Sequence, residues 1–170
     1  WIDRNSHRLA AKPQLKFLHN LTVAWLLLGE FSTAYRILQR ILHHPSRGVR
    51  NDIRSFARVL QVILLYELGD SDLNAYLLRN LKSFLGKQDL QTEFEGAVAR
   101  FLEISPVAST SAKYQVELEK LSDKLQALQA QNTAGLPIVG LQEVWIWIES
   151  KRTSIPIQDV FRNKLRPLES

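Results

Sequence analysis

The sequence predicts an all-α fold, an α-α superhelix in which helical hairpins stack on one another. The first observation is a repeated pattern: an apolar helical segment ends at Leu-Gly, and an acidic turn then leads into a second apolar segment. It occurs at Leu28-Gly29-Glu30 and again at Leu68-Gly69-Asp70. The second observation is composition. Hydrophobic residues make up 45% of the 170, whereas 7 Gly and 6 Pro are too few for a β fold with many turns.

Apolar residues at helical spacing predict two pairs of helices in the first half of the chain. Gly29 is suited to the left-handed conformation that ends many helices, and Ser32 or Thr33 is expected to cap the helix that follows. Asp70, Ser71 or Asp72 is expected to cap the fourth helix, and Gly86 to end it. The four helices are predicted at about 14–28, 33–44, 51–68 and 72–85.

Four more helices are predicted at about 89–104, 112–131, 141–151 and 157–164. The helix at 112–131 carries a heptad seam, which is expected to pack on the preceding helix of the same chain, with pairing between chains as the alternative. Its members are Tyr114, Leu118, Leu121, Leu125 and Leu128. We therefore divide the chain into 1–13, the end of a preceding element or a cut edge, 14–104, the hairpins, and 105–170, a C-terminal helical hairpin and capping helices of the same array.

Overlaying Gly29 on Gly69 gives a period near 40, which is typical of α-solenoids built from paired helices. Beyond the turn, the overlay matches Ala34-Tyr35 with Ala75-Tyr76 if one residue is inserted in the second unit. Each hairpin has an apolar face that it cannot bury alone, so stacking of neighbours is expected.

The first unit resembles the tetratricopeptide repeat, whose second half is matched by Leu28-Gly29-Glu30-Phe31 and then by Ala34, Leu38, Ile41, Leu42 and Pro45. The chain from about 14 to 165 is also similar to the helical-repeat C-terminal region of uncharacterised bacterial proteins of the Bacteroidetes type. The segments that carry this similarity are Phe56-Ala57-Arg58, Tyr66-Glu67-Leu68-Gly69, Tyr76-Leu77-Leu78-Arg79, Phe84-Leu85 and Trp147-Ile148-Glu149-Ser150-Lys151. The resemblance implies a scaffold for protein–protein interaction without enzymatic activity.

The net charge of +5 is unevenly spread. Residues 1–58 carry 10 Lys and Arg against 3 Asp and Glu, whereas residues 59–170 carry 12 against 14. A basic half favours an anionic partner. The alternative is that these cations only solvate helix faces.

Arginines recur on one side of the third predicted helix at steps of 3, 4 and 4 residues: Arg47, Arg50, Arg54 and Arg58. In stacked hairpins the first helix of each pair lines the concave surface. If the third helix lies there, this row is predicted to bind carboxylates of a protein or peptide partner, or phosphates. Nucleic acid is a weaker prediction, because readers of RNA repeat their contacts in every unit and the Arg row does not recur.

Trp145 and Trp147 are the other predicted partner contacts. Residues two apart on a helix face different directions, so one Trp is expected to seal the core and the other to anchor a partner. A further possibility is that the chain is a structural or self-associating segment of a larger protein. It would then form a homo-oligomer through this helix or through the heptad seam.

No catalytic, cofactor or metal site is predicted. Cys is absent, the adjacent His43 and His44 diverge on a helix, and the glycines are too scattered for a phosphate-binding loop. We therefore expect no enzyme activity. The longest apolar run has far fewer than the roughly 20 residues of a membrane span, and a cytoplasmic location without membrane partners is expected.

Overall fold

The computed structural model describes residues 10–45, 50–87, 93–105, 111–131 and 138–165. All regular secondary structure in these residues is helical, which confirms the all-α prediction. None of the helices in these ranges is long and apolar enough to cross a membrane. The helices are α1 (Ala11–Leu27), α2 (Phe31–Leu42), α3 (Asn51–Leu68), α4 (Ser71–Lys87), α5 (Glu93–Ile104), α6 (Ser111–Gln131), α7 (Leu141–Thr153) and α8 (Ile157–Leu165).

The turns inside the first two hairpins have the same hydrogen-bonded geometry. Gly29 and Gly69 have φ angles of 77° and 74°, a left-handed conformation that glycine adopts without steric cost. The N–H groups of Gly29 and Glu30 donate to carbonyls three and five residues earlier, and those of Gly69 and Asp70 do the same. This is the Schellman arrangement, so the two Leu-Gly signals end helices as predicted.

The helix starts of the two hairpins are offset by 40 residues, since α3 begins 40 residues after α1 and α4 begins 40 residues after α2. The second hairpin therefore has no inserted residue, and the predicted pairing of Ala34 with Ala75 is wrong by one position. Asn74 takes the place of Ala34: both are buried, and the Asn74 amide donates to the Val62 carbonyl at 3.3 Å. The same offset relates two other buried pairs, Leu38 with Leu78 and Ile41 with Leu81.

Two details of the predicted helix ends are also wrong. Neither Ser32 nor Thr33 caps α2, which begins at Phe31 without a side-chain cap. Gly86 does not end α4, because the helix continues to Lys87. The cap of α4 is one of those expected, since the Asp70 carboxylate accepts the Leu73 N–H at 3.2 Å. Of the predicted segment 1–13, residues 1–9 lie outside the described ranges, and α1 already begins at Ala11.

Successive helices pack against each other along the chain, and α3 also contacts α1 and α5. The first helices of the pairs therefore stack in a row. The heptad seam of α6 is buried within the chain, where α6 packs on α5 and α7. Its four leucines are Leu118, Leu121, Leu125 and Leu128.

The C-terminal helices fold back onto the first hairpins. Both α7 and α8 contact α1. At the start of α7, Gly140 lies so close to the buried ring of Phe56 on α3 that a Cβ there would come within 2.0 Å of it. Gly29 lies beside Ile157 and Gln158 at the start of α8. A linear array in which repeats touch only their neighbours has no such contacts, so the described chain departs from that pattern.

Candidate functional site

The predicted arginine row lies around the start and middle of α3, and Arg47 falls outside the described residues. Arg50 precedes α3 in a left-handed conformation, with φ of 52°. Its guanidinium binds Asp52 through two bonds, Nη2 to Oδ2 at 2.7 Å and Nε to Oδ1 at 3.0 Å. These bonds hold the pKa of Asp52 below its ordinary value. Arg50 thus already has a carboxylate partner within the chain.

Arg54 connects α3 to the end of α2. Its Nη2 donates to the backbone carbonyl of His44 at 2.7 Å. The ring of His44 is in turn 2.8 Å, Nε2 to Oε1, from Gln14 of α1. This arrangement stabilises the junction of the first three helices.

Arg58 lies one turn further along α3 and has a different environment. Its guanidinium carbon is 4.2 Å from the centroid of the Phe84 ring on α4. Burial, together with the positive charge of Arg54, lowers the pKa of Arg58. Across the described ranges, no carboxylate forms an ion pair with Arg58. Arg58 is thus a half-buried cation without an anionic partner in that part of the chain.

A groove of about 270 Å³ runs between α3 and α4 at this point; we call it the Arg58 groove. Its lining residues are Arg58, Gln61, Leu77, Asn80, Leu81 and Phe84. A guanidinium presents forked donors that match a carboxylate, and side-chain amides add further donors and acceptors. The groove therefore combines one cation and two amides with an apolar wall, which suits a carboxylate attached to an apolar segment.

Trp147 lies in the core rather than at the surface. It is 1% exposed, and its Nε1 donates to Glu67 Oε1 at 2.7 Å. Its ring meets the rings of Tyr66 and Phe101 edge to face, with centroids 6.1 and 6.0 Å away. The prediction of a partner contact at Trp147 does not fit this burial, because no surface of the side chain is open to a partner.

Trp145 is partly buried on another side of α7. The Nζ atom of Lys164, from α8, lies 4.1 Å from the centroid of its ring. Burial lowers the pKa of Lys164. One of the two Trp residues thus seals the core, as expected, while the other is covered in part by a cation of the same chain.

The histidines in the described ranges do not form a metal site. His43 Nδ1 is 2.8 Å from the Gln39 carbonyl, and the ring of His19 packs edge to face on Phe56. Among the described residues, no group of three or more His, Cys, Asp or Glu could hold a metal ion.

Sequence reasoning identified Arg58 but missed its groove partners Gln61, Asn80 and Phe84. From its spacing alone, Phe84 is predicted to be a core residue of α4. The contact of Arg58 with its ring depends on how α3 and α4 cross. One feature of the sequence does point to this site. The 40-residue offset aligns Arg58 with Leu18 of α1, which is buried. A cation in the register of a core leucine indicates an unusual environment.

Comparison with protein-family models, with curated proteins and with solved structures finds no match for this chain. The tetratricopeptide-like assignment therefore stays a prediction. Function has to be inferred from the geometry of the described residues.

Proposed function

We propose that the chain is a non-enzymatic module for protein–protein interaction, of the tetratricopeptide-like superhelical kind, and that it binds an acidic segment of a partner in the Arg58 groove. One observation carries the proposal: a half-buried guanidinium stacked on Phe84 with no ion pair in the described ranges. Removing a charge from water is unfavourable unless an opposite charge approaches it. A carboxylate of a partner would supply that charge.

The superhelical part of the proposal is supported by the repeat geometry. Two hairpins share a 40-residue offset and identical turns at Gly29 and Gly69, and the first helices stack as α1, α3 and α5. The contacts of α7 and α8 with α1 are a departure from a simple array.

Arg50 and Arg54 differ in their role in this proposal. Both are bonded within the chain, to Asp52 and to the His44 carbonyl. Asp52 neutralises the charge of Arg50, whereas the charge of Arg54 adds to the positive potential along α3, which steers an acidic segment toward Arg58. Arg58 makes the direct contact.

Self-association has less support. The heptad seam and Trp147, two of the features that would pair between chains, are buried within one chain. No comparable observation favours nucleic acid, because the arginines of α3 do not recur on α1 or α5.

The experiment is affinity purification of partners with the full-length protein and its Arg58→Glu variant. We expect Arg58→Glu to abolish recovery of an acidic partner, since the new carboxylate repels it. Arg36→Glu is the matched control, because Arg36 is exposed on α2. A set of partners recovered equally by all three proteins would contradict the proposal.

A further inference from the structure

A second and larger groove lies on a different side of α4, where α4 and α5 meet the end of α3. Its volume is about 600 Å³, and its surface is mostly apolar. We call it the α4–α5 groove and define it by Leu65, Ser71, Ala75, Leu78, Arg79 and Leu102. It shares no lining residue with the Arg58 groove.

The offset between the hairpins explains why this groove exists. Positions 71 and 75 of the second hairpin correspond to Phe31 and Tyr35 of the first. In the first hairpin both aromatic side chains are partly buried and pack against the core. In the second hairpin the same places hold Ser71 and Ala75, both exposed. The groove is thus the space that two aromatic side chains occupy 40 residues earlier.

The surroundings of the groove indicate which groups would occupy it. The lining of the groove is itself mostly apolar, with Leu65, Leu78 and Leu102 at its base. Apolar surface of this kind often marks an interaction site. At the edge, Lys82 pairs with Glu103 at 3.0 Å, while Arg79 is exposed and forms no ion pair within the described residues.

We propose that the α4–α5 groove binds a segment of a partner protein that presents an aromatic side chain next to a carboxylate. The aromatic ring takes the position that Phe31 or Tyr35 has in the first hairpin, against Leu65, Leu78 and Leu102. The carboxylate pairs with Arg79. This extends the proposed partner recognition to a second side of α4 and does not depend on Arg58.

The test uses a defined probe, the peptide acetyl-Glu-Glu-Phe-Glu-Glu-amide, titrated into the ¹⁵N-labelled full chain and followed by NMR. We expect saturable shifts at Ala75, Leu78 and Leu102. The peptide with Ala in place of Phe should bind at least about tenfold more weakly, a loss that one buried aromatic ring readily accounts for. The peptide with Lys in place of Glu should also bind more weakly, because Arg79 repels it.

The decisive variant is Ser71→Phe/Ala75→Tyr, which restores the residues of the first hairpin. It is expected to raise the melting temperature, since the new rings fill the groove, and to weaken probe binding at least about tenfold. Ala75→Tyr alone gives the same comparison if the double variant does not fold. Unchanged affinity in a folded variant would overturn the inference.

Arg79→Glu and Arg58→Glu separate the two sites. The first should remove the shifts at Ala75 and Leu78, and the second should leave them unchanged. Probe shifts confined to Arg58 and Phe84 would support the acidic-segment proposal and overturn the α4–α5 groove. Shifts at Ala75, Leu78 and Leu102, with or without shifts at Arg58, would support the α4–α5 groove and leave the acidic-segment proposal to its own test.

Discussion

The guanidinium of Arg58 lies over the face of Phe84, 4.2 Å from the ring centroid. A contact of this type contributes about 0.5–1 kcal/mol at partly exposed sites. Burial and the nearby charge of Arg54 oppose it, and together they lower the pKa of Arg58. We therefore expect the arginine to add little to the stability of the fold, which is compatible with the proposed role in binding.

The first prediction concerns Arg58→Met, which keeps an apolar stem against Phe84 and removes the charge. The free energy of unfolding should change by less than about 1 kcal/mol, because the lost cation–π contact is offset by relief of the buried charge. Urea denaturation measures this. Arg54→Met, the control, should cost about 1–2 kcal/mol, since it removes the bond to the His44 carbonyl. A larger loss at Arg58 than at Arg54 would mean that Arg58 has a structural role.

The second prediction concerns the link between α3 and α7. The Glu67 carboxylate is 7% exposed and binds Trp147 Nε1 at 2.7 Å and Lys151 Nζ at 2.6 Å. Glu67→Ala should lower the free energy of unfolding by about 3 kcal/mol, because it leaves the indole N–H of Trp147 and the ammonium of Lys151 without their acceptor. Glu67→Gln should cost about half as much, since its amide oxygen still accepts the indole N–H.

The control for Glu67 is Glu103→Gln, which breaks the exposed pair with Lys82. Its stability should stay within about 0.5 kcal/mol of the wild type. Equal losses at Glu67 and Glu103 would show that α7 does not dock on α3 as described.

The third prediction compares two glycines of similar backbone conformation. Gly140 has φ of 89° and no room for a Cβ beside Phe56, whereas Gly69 has φ of 74° and open space. Gly69→Ala should cost about 1 kcal/mol, the strain of the left-handed backbone alone. Gly140→Ala should cost about 3 kcal/mol or more, because the methyl group also displaces a buried ring. Thermal and urea denaturation check the order, and equal costs would contradict the contact between α7 and α3.

The fourth prediction is a dependence of stability on pH. Burial lowers the pKa of His19, and the charge of Arg50 lowers it further, against a smaller opposite effect of Asp52. The unfolded chain then binds more protons than the folded one as the pH falls below about 6.5, so the free energy of unfolding decreases there. His19→Gln should flatten this slope between about pH 7.5 and 5.5. Some slope should remain, because burial and Arg54 also lower the pKa of His44. If the slope is unchanged in His19→Gln, His19 is not the group that makes stability depend on pH.

The helices and the two hairpins follow from the sequence because their signals are local. Apolar residues at helical spacing place α1 to α4, and Gly29 and Gly69 mark turns that only a left-handed residue allows. The fold-back of α7 has no such signal. Glu67 and Trp147 are 80 residues apart, and no periodicity relates them.

The site could be predicted only in part for the same reason. Spacing on one helix identifies Arg58, but its place over Phe84 depends on how α3 and α4 cross. The same spacing groups Arg50 and Arg54 with Arg58, although local bonds to Asp52 and His44 give each a different environment. The α4–α5 groove could not be predicted from the one-residue-shifted overlay of the two hairpins. That overlay pairs Ala75 with Ala34, whereas in the structure Ala75 corresponds to the larger Tyr35.

The most direct test of the central claim is an NMR titration of the Arg58 Nε–Hε resonance with the peptide acetyl-Glu-Glu-Leu-Glu-Glu-amide. We predict a saturable shift at Arg58 that exceeds the shift at exposed Arg36 and is lost when Gln replaces Glu in the peptide. An Arg58 resonance that does not move, or that moves equally with the Gln peptide, would contradict an acidic-segment site at Arg58.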